Sequence, residues 1–291
     1  KSNQARLTVL DVIDLPSVPV TALELSAPEL RDAVMAARMD ELKGLLERTG
    51  DTSNCELKVV VGIRFLEVIR DVLNEKRDLV INPTGRRHGV RSLFSSTDMK
   101  LLRQCPCPLW LVKPTEVKAA RQIVASVDND SEVPAKESLN RRILAIATSL
   151  ALSESAELHI VHAWRLAYEK TLRSGRTRPT HAEVNVILQD VEAQRRVWLE
   201  ELVDAHCEKR IRQAGSSLKP QTHLIKGDAD LVIPTFCEKL GAELIVMGTI
   251  GRVGVPGLFI GNTAEAILRQ IDCSVLAVKP DDFVTPVTLE E

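Results

Sequence analysis

The chain contains itself twice, and that repeat constrains its fold more than any other feature. Gly62 to Thr84 aligns without gaps on Gly227 to Thr249, an offset of 165 residues. Gly62/Gly227, Leu66/Leu231, Leu79/Leu244 and Thr84/Thr249 are identical. The block 97–114 then falls on 263–280 at an offset of 166, with eight of its 18 positions identical: Thr97, Leu102, Arg103, Gln104, Cys107, Val112, Lys113 and Pro114. A repeat this dense implies two copies of one supersecondary plan. The change in offset means that the first copy has lost one residue between Thr84 and Thr97.

Each copy reads as alternating strands and helices. In the second copy strands are expected near 122–128, 157–163, 221–226, 243–247 and 274–278, and helices near 136–153, 181–213, 229–240 and 262–270. Over 181–213, Leu188, Val191, Trp198, Leu202 and Ala205 recur at helical spacing and form a packing stripe, so Trp198 is read as core. Alternating elements of this kind argue for α/β domains with doubly wound parallel sheets. The strand Leu7–Val12 matches Leu158–Ala163, so the first copy has no counterpart of the strand at Ile123–Asp128 within this sequence. The expectation is that further residues precede Lys1. The repeat divides the chain into domain 1, residues 1–117, and domain 2, residues 118–291.

The second copy carries a glycine-rich loop between a strand and a helix. Leu244-Ile245-Val246-Met247 runs into Gly248-Thr249-Ile250-Gly251, and Gly261-Asn262-Thr263 opens the next helix. Gly248 and Gly251 let backbone approach a phosphate without a Cβ. Gly261 and the N–H groups of Asn262 and Thr263 offer donors at a positive helix end. Asn262 or Thr263 could instead serve only as an N-cap. In an open α/β sheet ligands sit beyond the strand C-termini, so Asp128 would share a crevice with this loop if their strands are neighbours.

The Gly-x2-Gly-x9-Gly pattern and the tandem arrangement closely resemble the universal stress protein family. The helix start Gly261–Glu265 and the tail Lys279-Pro280-Asp281 resemble its two-domain members. The resemblance covers the whole chain. It implies an adenine-nucleotide alpha-hydrolase-like fold, a cytoplasmic stress-response role and pairing through the last strands, Ser274–Val278 and Leu109–Val112. It carries nucleotide contacts onto Asp128, Gly248, Gly251, Gly261, Asn262 and Thr263, with a backbone contact to adenine near Ala163. The implied ligand is ATP or AMP in domain 2, with Mg²⁺ if ATP. Asn262 stands where the family most often has Ser, and Val253, Val255, Pro256, Leu258, Phe259 and Ile260 make the loop apolar. That leaves a second reading, a loop kept for packing or for a hydrophobic, lipid-like ligand.

In the first copy Pro83 replaces Gly248 and Arg86 replaces Gly251. Proline removes a donor and arginine adds bulk, so domain 1 is expected to bind no nucleotide. Its loop is instead basic, with Arg86, Arg87, His88 and Arg91.

Nothing assembles a catalytic site. There is no Gly-x-Ser-x-Gly elbow, Walker loop or His-Glu-x-x-His, so at most a slow ATPase is expected. Asp128-Asn129-Asp130 could help hold Mg²⁺ on bound phosphates or form a strand-end turn. His159 and His162, three apart on a strand, face opposite sides and share no metal; His162 is read as ending its strand. With a net charge of −2 and both signs interspersed, nucleic acid is not the expected main partner. The longest apolar runs are strand-sized, so no membrane span and no signal peptide are expected. Scattered cysteines suit a reducing cytosol. Cys105-Pro106-Cys107 has no partner pair at zinc-like spacing and reads as small buried residues entering a strand. The two copies pair within one chain, and a further homodimer is optional.

Overall fold

A computed structural model describes residues 5–14, 27–49, 55–84, 94–113, 121–129, 134–174, 179–249 and 260–289. Gly251, Arg252, the apolar run 253–259, Asp130 and the basic loop residues Arg86, Arg87, His88 and Arg91 lie outside the described residues. The chain divides into two compact units, 1–77 with 287–291 and 78–286. This division does not follow the repeat boundary near residue 117, because the last two strands of the first copy are built into the sheet of the second.

The first unit holds β1 (Leu7–Ile13), α1 (Ala27–Arg48), β2 (Cys55–Val61) and α2 (Arg64–Glu75). β1 and β2 run parallel, from Leu7 opposite Cys55 to Ile13 opposite Val61. Beneath them Asp71 is buried and receives Lys58 Nζ at 2.5 Å and Arg77 Nε at 3.0 Å. Burial alone would raise its carboxyl pKa, but these two cations outweigh burial and hold it below the usual carboxylate range.

The second unit begins with β3 (Val80–Pro83), α3 (Ser96–Gln104) and β4 (Leu109–Val112). β5 (Gln122–Ser126), α4 (Pro134–Glu154), β6 (Glu157–Trp164), α5 (Glu169–Ser174) and α6 (His181–Val203) follow. A single π turn, Asp204–Glu208, links α6 to α7 (Lys209–Gln213). The unit closes with β7 (Gln221–Lys226), α8 (Ala229–Leu240), β8 (Leu244–Gly248), α9 (Asn262–Leu268) and β9 (Ser274–Val278). The seven strands are ordered β3-β4-β9-β8-β5-β6-β7. All neighbours are parallel except β4 and β9, whose antiparallel register sets Leu109 opposite Ala277 and Leu111 opposite Val275. Among the described residues β1 to β4 answer to β6 to β9 and α1, α2 and α3 to α6, α8 and α9, while β5, α4, α5, the π turn and α7 have no counterpart in the first copy.

Equivalent lysines cross between the copies at the β4–β9 junction. Lys113 donates to the Asp272 carbonyl at 2.8 Å and pairs with its carboxylate at 2.5 Å. Lys279, buried, donates to the Leu102 and Arg103 carbonyls at 2.6 and 3.2 Å. Those carbonyls belong to the last turn of α3, where a cationic donor is favoured.

The main core lies between the sheet and α4, α6 and α7, and includes Ile123, Ala125, Ile143, Leu144, Leu158, Ile160, Leu199 and Val246. Trp198 packs against it, and its ring lies 4.9 Å from that of His162. β6 continues two residues past His162 to Trp164, because β7 keeps pairing with it as far as Lys226. His162 therefore lies inside the strand rather than ending it. On the other face His159 Nδ1 lies 3.0 Å from His223 Nε2, His159 Nε2 lies 2.7 Å from Gln122 Oε1, and Phe236 of α8 lies against both rings.

This second cluster predicts an acid response. Gln122 Oε1 accepts from His159 Nε2–H, so His159 Nδ1 is left to accept from His223 Nε2–H. Burial lowers both histidines; Glu157 pulls His159 back up, and His159 lowers His223 further. Folded pKa values below the unfolded value of about 6.5 mean that only the unfolded chain takes up protons first. Their contribution is therefore intact above that pH and is lost as pH falls below it. Urea unfolding from pH 7.5 to 5.5 should show a fall in stability that is shallower in His159→Gln/His223→Gln. An unchanged slope would assign the fall to other groups such as His162 and His206, which burial also lowers.

Candidate functional site

The strand order places the site. From β5 the chain winds outward to β6 and β7, then returns to β8 on the other side of β5. The C-terminal ends of β5 and β8 therefore part company at a topological switch point. A crevice of about 650 Å³ opens there, lined by Asp128, Ala163, Gly248, Gly261, Asn262 and Thr263 among others. Six of the seven residues expected from the sequence thus meet in one place, and the seventh, Gly251, lies outside the described residues. A second groove of about 720 Å³ shares Asp128, Ala163, Ala229, Asn262 and Thr263 with it and extends over His162, Arg165 and Arg195.

Asp128 follows β5 and is held by α4. Asn140 Nδ2 donates to the Asp128 carbonyl at 2.7 Å, and the Asp128 N–H donates to Asn140 Oδ1 at 3.1 Å. Lys136, one helical turn earlier, places Nζ 2.7 Å from Asp128 Oδ2. Neither Asn140 nor Lys136 was anticipated. The signal for Asn140 was a polar residue inside the buried stripe Leu139, Ile143, Leu144.

Ala163 contributes through its backbone. In a parallel ladder alternate residues aim both peptide groups at the same neighbour. Val161 aims at β5, since its carbonyl accepts from Val127 N–H at 3.0 Å. Ala163 aims the same way, but β5 has ended at Ser126. Its N–H and C=O project past the strand end toward the crevice.

Gly248 is hemmed in from α4. A Cβ there would stand 2.6 Å from Leu139 Cδ2, so the glycine serves helix–sheet approach as well as any ligand. Thr249 is fully buried, its carbonyl accepts from Gly261 N–H at 2.9 Å, and its Oγ1 has no partner among the described residues. This bond ties the two ends of the glycine loop together. Gly261 occupies the N-cap of α9 with φ −59° and ψ 139°. Asn262 and Thr263 already lie inside the first turn, so the N-cap alternative for them fails. Having no side chain, Gly261 gives the first-turn N–H groups no cap of its own, and no side-chain cap bond is made there among the described residues.

The first copy treats the equivalent helix start differently. Ser95 caps α3 in a reciprocal box: Asp98 N–H donates to Ser95 Oγ at 3.1 Å, and Ser95 N–H donates to Asp98 Oδ2 at 2.6 Å. Asn82 Nδ2 adds a bond to Asp98 Oδ1 at 2.8 Å. A buried carboxylate thus sits where an anion would, and Ala264 occupies its place in the second copy. The Ser-x-x-Asp spacing was the readable signal.

The model of the Universal stress protein family matches residues 1–113 and 121–279. The chain belongs to the universal stress protein family. Universal stress protein E of Salmonella typhi is 31% identical over 243 residues, 81% of this chain and 72% of that protein. The protein of the same name from Escherichia coli (strain K12) is 30% identical over 241 residues, with the same coverage. A functionally unknown protein from Pseudomonas aeruginosa PAO1 superposes with a TM-score of 0.64 at 24% identity, covering 97% of this chain and 95% of its own. A universal stress protein from Archaeoglobus fulgidus DSM 4304 gives 0.59 at 18% identity, covering 94% and 87%. These likenesses establish two tandem α/β domains of the universal stress protein kind. Among the described residues of this family member, no helix is long and apolar enough to cross a membrane.

Proposed function

We propose that the crevice of the second copy binds an adenine nucleotide, ATP or AMP, and that occupancy changes how this stress protein engages its partners. One observation carries the reading: the outward-facing peptide groups of Ala163 share a crevice with the uncapped start of α9. A peptide N–H and C=O side by side match the acceptor and donor on the Watson–Crick edge of adenine. The N–H groups of Asn262 and Thr263 suit a phosphate, and Asp128, steadied by Asn140, is placed to contact the sugar or base. Mg²⁺ would arrive on the phosphates of ATP, since Lys136 already engages the Asp128 carboxylate. The role in this reading is sensing, with at most slow ATP hydrolysis: among the described residues lining the crevice Asp128 is the one carboxylate, and Lys136 pairs with it.

Titration calorimetry of the purified chain with ATP, ADP and AMP, with and without Mg²⁺, tests this. Saturable one-site binding that the Asp128→Ala variant weakens is the expected result. No heat from any of the three ends the nucleotide reading. The apolar lining by Leu139, Ile143, Ile233, Met247, Ile260 and Ile267 favours a second reading, a hydrophobic ligand such as an acyl chain. Native mass spectrometry after gentle purification would then show a co-purifying acyl species, and a clean apo mass would count against it.

A further inference from the structure

The nucleotide crevice leaves two buried cysteine pairs unused, Cys105 with Cys107 and Cys237 with Cys273. Cys105 caps the end of α3, and Cys107 lies two residues before β4. Their sulfurs are 3.7 Å apart, too far for a disulfide bond and close enough for an S–H···S hydrogen bond. Cys105 has no exposed surface, while Cys107 keeps 9%. Lys279, reaching across from the second copy to the α3 carbonyls, lies in electrostatic range of Cys105. Ile271 stands in the second copy where Cys105 stands in the first; there Cys273, the equivalent of Cys107, pairs with Cys237 of α8 instead, so only the first copy places both thiols on one three-residue turn.

We propose that Cys105 and Cys107 are a redox-active dithiol that a small hydroperoxide converts to a disulfide. The proposal is independent of the nucleotide reading. The hydrogen bond from Cys107 lowers the Cys105 pKa against burial, and Lys279, whose own pKa burial lowers to about 7, adds to the effect to the extent that it is protonated. The bond to Cys105 and burial raise the Cys107 pKa. Cys105 is therefore the attacking sulfur and Cys107 the resolving one. The Cys105 thiolate displaces hydroxide from the peroxide O–O bond and becomes a sulfenic acid. The Cys107 sulfur then attacks that sulfur, the S–O bond breaks, and the hydroxyl leaves as water with the Cys107 proton. Two thiols and one hydrogen peroxide give one disulfide and two waters. Closing the bond draws the sulfurs from 3.7 Å to about 2.05 Å.

The full chain is treated with graded hydrogen peroxide, quenched with an alkylating agent under denaturing conditions, and digested with trypsin. Half-buried Cys55 is the internal reference thiol. The peptide beginning at Gln104 should lose two hydrogen masses and both alkylation sites at peroxide doses no higher than those that oxidise Cys55. Cys107→Ser, or Cys107→Ala if serine is not tolerated, oxidised while folded and then unfolded in the presence of dimedone, should stop at the sulfenic acid and take one dimedone adduct on Cys105. Lys279→Met should slow Cys105 oxidation about threefold or more. Full alkylation of both cysteines once Cys55 is oxidised would overturn the proposal. So would a Cys107 variant, oxidised while folded and unfolded in dimedone, with no adduct on Cys105.

Discussion

Gly248→Val is expected to destabilise the second unit by about 2–3 kcal/mol, in the range typical of overpacking, and to weaken nucleotide binding at least tenfold. The cause is the 2.6 Å approach of any Cβ to Leu139 Cδ2. Two roles of the glycine are entangled in that number, and a second substitution separates them. Leu139→Ala opens space under position 248, so the double variant should recover part of the added cost, a coupling of roughly 1–2 kcal/mol between residues in contact. If binding also returns, the glycine is required only for packing of α4 on the sheet. If stability returns and binding does not, the new side chain is blocking the ligand. Urea denaturation and calorimetry on the four proteins of the cycle read both outcomes. Strict additivity would show that the two positions do not touch in solution.

Asn140→Ala is expected to cost about 2 kcal/mol, because it strands both peptide groups of Asp128. It should also lower nucleotide affinity about tenfold, since the aspartate would no longer be held in register with Ala163. Asn140→Asp keeps the acceptor for Asp128 N–H but loses the donor and adds a charge at a buried position. It should therefore be the less stable of the two at neutral pH and recover in mild acid, as protonation restores a donor. Equal affinities for wild type and Asn140→Ala would remove Asn140 from the site.

The strands and long helices were legible because burial imposes a period. The second-copy strands and the helices 181–213 and 229–240 fall close to their expected places. Short α5, on which no residue is fully buried, left no such trace. Neither did the π turn at Asp204–Glu208, within which Cys207 is buried while Ala205, expected on the packing stripe, is exposed. Within the site, glycines and the strand-end aspartate were readable as loop chemistry. The residues that brace them were not, because Asn140 and Lys136 meet Asp128 only after α4 folds back over β5. Asp98 was the reverse case: its spacing from Ser95 was plain, but its meaning emerged only beside the uncapped Gly261 of the other copy.

The antiparallel seam between β4 and β9 has a further consequence. Both edges belong to one polypeptide, so their encounter is governed by the tether rather than by dilution. A symmetric assembly of identical chains must change both of its ligand crevices with every mutation. Here one half filled its helix start with its own carboxylate while the other kept an open one, and the seam survived. Covalent fusion frees each half to specialise alone: one can become a fixed support and leave the other a single reader, whose response is graded by one ligand rather than by cooperation between two.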